Sequence, residues 1–399
     1  MAITPIFCDG FDHYRTISPA LIAEKYISRT TFDQQLREAG RYDDSYLSDY
    51  SAGSMNNAFG EAWTDVAVAT TYSYASMDLK LAHGTGGTFL TDGDFLVLSG
   101  LILSTYTKQT RVAVRTDGRI EVWRGTGAQF TGTLLASSAA GILVQSEFRR
   151  VEVCWGQITG IWVRVNGVTV ISEPAASLLA GAAGISRVGQ YWAQFGFNAI
   201  LWDNYFVWTD TVAEAWLGDI QVATFWPFNG APADQEAGSF VPDSGSNMYS
   251  RLYERQDFPS VGNEFPNGNT NYISTTVSDE CYLRMQNLRS YGTVLALAVN
   301  LEAYCLSGCS HQGVAHKDAG SSYYATAQSL SGSDYKIHQF LFSTNPDTGL
   351  PWDPAELVLN GWYFGAKVTS PLSAYRLSQI ALEIVYLKSG ATGARYRCR

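Results

Sequence analysis

Twice within residues 111–173 the chain spells a strand, a two-residue turn and a second strand, and this constrains its fold more than any other feature. In the first copy Asp117-Gly118 stands between RVAVRT and RIEVWR; in the second Asn166-Gly167 stands between IWVRV and VTVIS. A type I′ hairpin turn needs positive φ at both central residues, which Gly adopts freely and Asn or Asp tolerate. The flanks alternate with period two, so Val112 and Val114, Ile120 and Val122, Ile161, Val163 and Val165, and Val168 and Val170 are predicted to line one packed face. Two hairpins of this kind call for an antiparallel sheet with a covered face, and so for an all-β sandwich.

The surroundings extend the pattern. Strand candidates occur at Tyr72–Leu81 and Asp94–Leu103, and the β-rich stretch closes on ILWDNYFVWTD before residue 210. Ser18-Pro19 could cap a short helical turn through Ala20–Tyr26. The chain has 399 residues, more than one typical domain, which predicts a first domain over 1–210 and a second over 211–399. At the junction, Thr211 to Glu214 has capping-box spacing and Gly218 could end a helix of about two turns. The second half reads as mostly β: GDIQVATFWPFNG, Thr293–Tyr304, Tyr335–Phe342 and Gln379–Leu387. Residues 229–247 read as an exposed loop. Asp353-Pro354-Ala355-Glu356 predicts one short helix through Asn360.

Composition narrows the function classes. Charged residues are 16% and aromatics 13%, with 37 Gly, which suits many strands and turns with large flat contact surfaces. The formal charge of −10 argues against sequence-independent nucleic-acid binding, which needs Lys and Arg to displace counterions. No run of eighteen apolar residues occurs, and MAITPIFCDGF lacks a basic stretch followed by an apolar one, so neither membrane insertion nor a cleaved leader is expected. Six scattered cysteines do not make a disulfide framework, which points to folding in the cytoplasm.

Together, FCDGFDHY, the series RIEVWRGTG, LLASS, FRRVEV and VRVNGVTV, and the strand LWDNYFVW resemble the laminin-G/concanavalin-like domain of tailed-phage virion proteins. Farther on, LGDI, FWP, YGTVLALAVN, KDAG and NPDTGLPWDPAELVLNGWYFG are similar to the second half of the same proteins, in the same order. The resemblance implies a jelly-roll sandwich over 1–210 and a mostly β domain with short helices over 211–399. It implies a non-enzymatic structural component of the tail, baseplate or fibre region, made in the host cytoplasm and carried on the virion. Such a chain would act as a homo-oligomer with other virion proteins. The alternative it allows is adhesion to host-surface glycan. Two departures stand out: Phe148 replaces a Trp common before the V-E-V strand, and CLSGCSHQGVAH looks like an insertion.

Residue chemistry gives little support to catalysis. A retaining glycosidase places two carboxyl groups about 5–5.5 Å apart. No E-x-D-x-E pattern is present, and Glu121 and Glu152 read as isolated, solvated strand residues. Asp9, Asp12, Asp92 and Asp94 offer oxygen ligands for Ca²⁺ but read more simply as turn residues. Cys305, Cys309, His311 and His316 are the one plausible Zn²⁺ set, yet their spacing is tighter than that of zinc fingers. Free thiols or a Cys305–Cys309 disulfide explain that stretch equally well, so no metal and no cofactor is expected. Trp123 and Trp162 are out of phase with their Val and Ile neighbours and point to the opposite face. Either that face is also covered or it meets a partner, which makes these two residues the candidate interface.

Overall fold

The computed structural model describes residues 3–10, 28–30, 34–39, 50–54, 60–66, 72–82, 95–102, 109–114, 117–125, 132–144, 147–156, 160–173, 184–191, 199–212, 214–227, 235–236, 238–243, 248–252, 272–285, 292–318, 320–332, 335–358, 361–371 and 373–388. The chain divides into two compact units, one running to Ile220 and the other from Gln221 to Gly390. Both are β-built. Among the described residues the helices are Tyr249–Leu252 and Pro354–Val358, and none is long and apolar enough to cross a membrane.

The first unit is an antiparallel β-sandwich. One sheet runs in the order Val168–Glu173, Gly160–Val165, Arg149–Gly156, Tyr72–Ala82, Ala199–Asp210, Tyr50–Ser54, Gln34–Ala39, with Thr4–Asp9 also pairing to Ala199–Asp210. The other runs Gly132–Ser137, Ile120–Gly125, Gln109–Val114, Phe95–Ile102, Gly184–Tyr191, Gly60–Val66, Ser28–Thr30. Val112, Val114, Ile120 and Val122 are buried in the second sheet, and Ala75, Met77, Val151, Val153, Ile161, Val163 and Val165 in the first. These carry the apolar period read from the sequence.

The two hairpins part company in detail. Val165 pairs with Val168, and Asn166 and Gly167 have φ of 48° and 80°, so this is the two-residue turn with both central residues left-handed. Asn166 earns its place twice: its N–H donates to the Arg150 carbonyl (2.8 Å) and its side-chain oxygen accepts the Arg150 N–H (2.9 Å). In the other hairpin Val114 pairs with Ile120, so the connection is longer than the two residues expected. There Gly118 has a φ of 78°, whereas Asp117 instead accepts the Arg119 N–H (3.1 Å) in an Asx-type turn. The loop docks on residues 141–143 so closely that a Cβ on Gly118 would sit 2.1 Å from the Leu143 carbonyl oxygen. A second correction concerns Val168 and Val170. The register shifts after Val163, Ile171 takes the buried position, and Val168 is 65% exposed. A bulge reverses side-chain parity, which simple alternation does not anticipate.

The second unit packs two further antiparallel sheets. One has the order Val241–Pro242, Ile273–Thr275, Tyr375–Leu387, Thr293–Cys305, Lys336–Phe342, with Ile220–Phe225 on Tyr375–Leu387. The other has Gln235–Glu236, Asp279–Arg284, Trp362–Thr369, Cys309–Lys317, Ser322–Tyr324, with Gln328–Leu330 on Cys309–Lys317. They face each other closely: a Cβ on Gly313 would lie 2.5 Å from the Phe340 Cβ on the opposite sheet. The stretch read as an insertion is therefore an interior strand, paired along its length with Trp362–Thr369. Its Gly and small polar residues weakened the strand signal, while close sheet packing is what requires them. The supposed loop over 229–247 includes two short strands, and Phe240 within it is buried. The helix expected after Asp353 forms, with Asp353 accepting the Ala355 N–H (2.8 Å), but Glu356 turns away to Asn345 (2.7 Å) and leaves the capping box half made. The helical turn expected at residues 18–26 lies outside the described residues.

Candidate functional site

The outer face of the first sheet gathers the chemically rich side chains of the first unit. Pairing registers put Trp162, Cys154, Tyr74 and Trp208 in one row across four strands, with Arg164, Glu152, Ser76 and Phe206 in the next. Arg150 and Asp78 pair one step farther along. Tyr74 stacks flat on Trp208 (centroids 5.0 Å, planes 6° apart), and Phe206, two residues along the strand, also stacks on Trp208 (5.2 Å). The sequence WDNYFVW makes this geometry. Between Asp203 and Phe206 the strand bulges, Asn204 adopts φ 52°, and its amide reaches both Asp78 (3.0 Å) and Asp203 (2.9 Å). Asn is among the few residues other than Gly that hold such a conformation cheaply.

Residues 211–212 and 214–220 run across this face as a strap. No helix forms there among the described residues, contrary to the capping-box spacing. The reason is that the backbone groups a helix would use are taken by the sheet. Asp210 accepts the Val212 N–H (3.0 Å), the Tyr74 hydroxyl donates to the Val212 carbonyl (2.5 Å) and accepts the Ala215 N–H (2.9 Å), and Glu152 accepts the Gly218 N–H (3.1 Å). Glu214 and Gly218, at φ of 55° and 84°, set the bends. Arg150 holds Asp78 through two hydrogen bonds of 2.7 Å and donates onward to the Gly218 carbonyl (3.3 Å) and to that of Ile220. Trp216 lies edge-on to Tyr74 (5.8 Å) beneath the Arg164 guanidinium (5.1 Å to the ring centre). Arg164 in turn donates to the Gly167 carbonyl (2.5 Å), tying the Asn-Gly turn to the strap.

This cover changes the electrostatics beneath it. Asp78, Glu152, Asp203 and Asn204 are all 0% exposed, which corrects the expectation that Glu152 is solvated. Glu121 is likewise buried, its carboxylate accepting the Trp123 indole N–H (2.8 Å). Burial raises the Glu152 carboxyl above its ordinary range, against the opposing pull of Arg150 and the Gly218 N–H. One of its oxygens, Oε2, has no hydrogen-bond partner among the described residues. Burial also pushes the Tyr74 hydroxyl well up and the Cys154 thiol to about 11. The Tyr74 hydroxyl and the Cys154 thiol therefore keep their protons at neutral pH. The cover was legible in one respect: Tyr205, Phe206, Val207 and Trp208 are apolar on both faces, which only a doubly covered strand allows.

The candidate interface residues separate. Trp162 is 7% exposed and covered within the chain, with Tyr72 edge-on at 6.2 Å. Trp123 is partly exposed and pairs in register with Leu134, itself 43% exposed, on the edge strand Gly132–Ser137. The proposed Zn²⁺ ligands also separate. Cys305 and Cys309 meet across a turn, both as free thiols. His311 points between the sheets, to His338 (2.6 Å between ring nitrogens) and the Tyr375 hydroxyl (3.1 Å). His316, five residues along the same strand and so on its other face, stacks on Tyr282 (4.1 Å) and meets the Ser322 hydroxyl (2.9 Å). Among the described residues no three His, Cys, Asp or Glu side chains are grouped to hold a metal ion. Of the Ca²⁺ candidates, Asp9 ends the strand Thr4–Asp9 and is fully buried, while Asp12, Asp92 and Asp94 lie outside the described residues.

One polar, aromatic surface of the second unit was missed from the sequence. Around the Tyr282–His316 stack, Tyr363 stands edge-on to Tyr282 (5.9 Å), the Ser322 hydroxyl donates to Glu280 (2.8 Å), and Tyr324, 41% exposed, also donates to Glu280 (2.7 Å) beneath the Lys367 ammonium. Four strands spread over residues 279–369 bring these residues together, so no local spacing announces them.

No family model matches the chain, and no curated protein does. Solved structures share the sandwich at low similarity. The cellulose-induced protein Cip1 is 13% identical, with a TM-score of 0.34, over 51% of this chain and 96% of its own. A Bacillus subtilis protein described as having a galectin-like fold is 12% identical, with a TM-score of 0.31, over 51% and 97%. SCLam, a non-specific endo-β-1,3(4)-glucanase of family GH16, is 12% identical, with a TM-score of 0.30, over 53% and 94%.

Proposed function

We propose that this protein is a non-enzymatic structural component of a tailed-phage virion, in the tail, baseplate or fibre region, acting through protein–protein assembly. The ordered run of motifs from FCDGFDHY to NPDTGLPWDPAE supports the virion setting. The strap over the first sheet is the observation that carries the scaffolding reading. A glycoside hydrolase needs two carboxyl groups open to substrate, whereas Asp78, Glu152 and Asp203 are sealed under their own chain and bound to Arg150, Gly218 and Asn204. Among the described residues the first unit leaves an apolar pair open at one end of a sheet, the partly exposed Trp123 in register with Leu134. A strand at the end of the described sheet order beside an aromatic anchor suits a protein neighbour, either another copy or a second virion protein.

A cryo-EM reconstruction of the purified particle tests this. The expected result is symmetric copies with the Trp123–Leu134 edge buried against a neighbour. A monomeric chain absent from the particle contradicts it. The second reading, adhesion to host glycan, is favoured by the exposed Tyr324 and the polar groups around Tyr282 and His316, since sugars stack on rings flanked by hydrogen-bonding side chains. Retention on a glycan array, lost in Tyr282→Ala, would favour that reading over assembly.

A further inference from the structure

In the second unit the chain passes from one sheet to the other through a very short turn. Cys305 ends the strand Thr293–Cys305, Cys309 begins the strand Cys309–Lys317, and only Leu306, Ser307 and Gly308 lie between. The turn is well fixed. The Gly308 N–H donates to the Cys305 carbonyl (3.3 Å) with Gly308 at φ 86°, and the Ser373 hydroxyl accepts the Ser307 N–H (3.0 Å) while standing 3.7 Å from the Cys305 sulfur. The two thiols are free and near enough across the turn to act on each other. Cys305 is 1% exposed, while Cys309 is partly open to solvent.

We propose that Cys305 and Cys309 form a redox-modification site, a dithiol that a small disulfide oxidant such as oxidised glutathione converts to an internal disulfide. Cys309, the accessible partner, gives its proton to solvent and attacks one glutathione sulfur. The glutathione S–S bond breaks, one glutathione leaves as thiolate, and a mixed disulfide remains on Cys309. Cys305 then loses its proton and displaces the second glutathione. Two protons and two electrons pass from the protein to the oxidant, one glutathione disulfide becoming two thiols. The closed ring joins the two sheets where the chain crosses between them. Burial together with the neighbouring Cys305 thiol raises the Cys309 thiol well above its ordinary range, so its thiolate is scarce at neutral pH. The reaction is therefore slow in a reducing cytoplasm and proceeds after release into an oxidising medium. It does not depend on any role in a particle.

Peptide mapping of the folded, full-length protein tests this. Cleavage after Arg289 and Lys317 leaves both cysteines on one peptide. After incubation with oxidised glutathione and alkylation of the remaining thiols, that peptide should be two hydrogens lighter and carry no alkyl group. Its formation rate should rise about tenfold per pH unit, following the thiolate fraction. Cys305→Ser should stop at the mixed disulfide on Cys309. Two alkylated cysteines, or two separate glutathione adducts, in the wild-type protein would overturn the proposal, and this wild-type readout stands even if the variant does not fold.

Discussion

Each unit buries polar side chains, and one cluster in the first contrasts with one cluster in the second. In the first unit the polar layer lies on the outer face of a sheet and is partnered: the Asp78 carboxylate with the Arg150 guanidinium, both almost wholly buried, and one oxygen of the Glu152 carboxyl with a backbone N–H of the strap. In the second unit a group of polar side chains, His311, His338 and Tyr375, lies between two sheets, is neutral, and is linked by hydrogen bonds from His311 to the other two. Burial, with His338 acting on His311 and Lys336 on His338, depresses the two imidazoles to about 3 and about 4. Asp78 is thus held beside a cation, while burial of the two imidazoles with no such counter-charge favours their neutral form.

The difference can be broken from the charged side first. Arg150→Met leaves Asp78 buried with no cation and should cost about 3–5 kcal/mol, read as a lower midpoint in urea unfolding. An unchanged midpoint would mean that solvent reaches Asp78. The pH response should separate the units next. Because both histidines have folded pKa values below the ordinary 6.5, the unfolded chain takes up more protons than the folded chain between that value and about 3. The stability they contribute is complete above pH 6.5 and is lost as the pH falls through this window. Hydrogen exchange followed from pH 7 to 4.5 should show the amides of Cys309–Lys317 and Lys336–Phe342 losing protection, and His311→Phe/His338→Leu should flatten that loss. Tyr74→Phe removes two hydrogen bonds to the strap and should cost about 1–3 kcal/mol, part of it from an unpaired Val212 carbonyl. The smallest effect is expected from Glu152→Gln. Its carboxyl is already biased toward the neutral form, and an amide oxygen can still accept the Gly218 N–H, so the change should stay below about 1 kcal/mol. A large loss there would show that Glu152 is charged and essential to the layer.

Local chemistry was readable wherever it decided the structure by itself. Asn166-Gly167 could be read because backbone sterics alone select that pair, and Pro354 and Asp353 mark their helix for the same reason. Asp117-Gly118 misled because docking against Leu143 outweighed the turn's own preference. Glu152 was misread because its strand partners are polar too, and the segment that covers them comes more than fifty residues later. The strap's helix signals were real but weaker than the hydrogen bonds offered by Tyr74 and Glu152. Trp162 was placed on the correct face, and what covers it, Tyr72, comes from a strand distant in sequence.

The claim on which the rest depends is that the strap seals the first sheet. Native-state hydrogen exchange at the Ala215 and Gly218 amides measures this directly. If the strap is held by Tyr74 and Glu152, both amides exchange as slowly as those of the strand Arg149–Gly156, and Tyr74→Phe speeds Ala215 while leaving that strand protected. Exchange at the rate of an open loop, in protein whose strands remain protected, would contradict the sealed face and reopen the carboxyl groups beneath it to a catalytic reading.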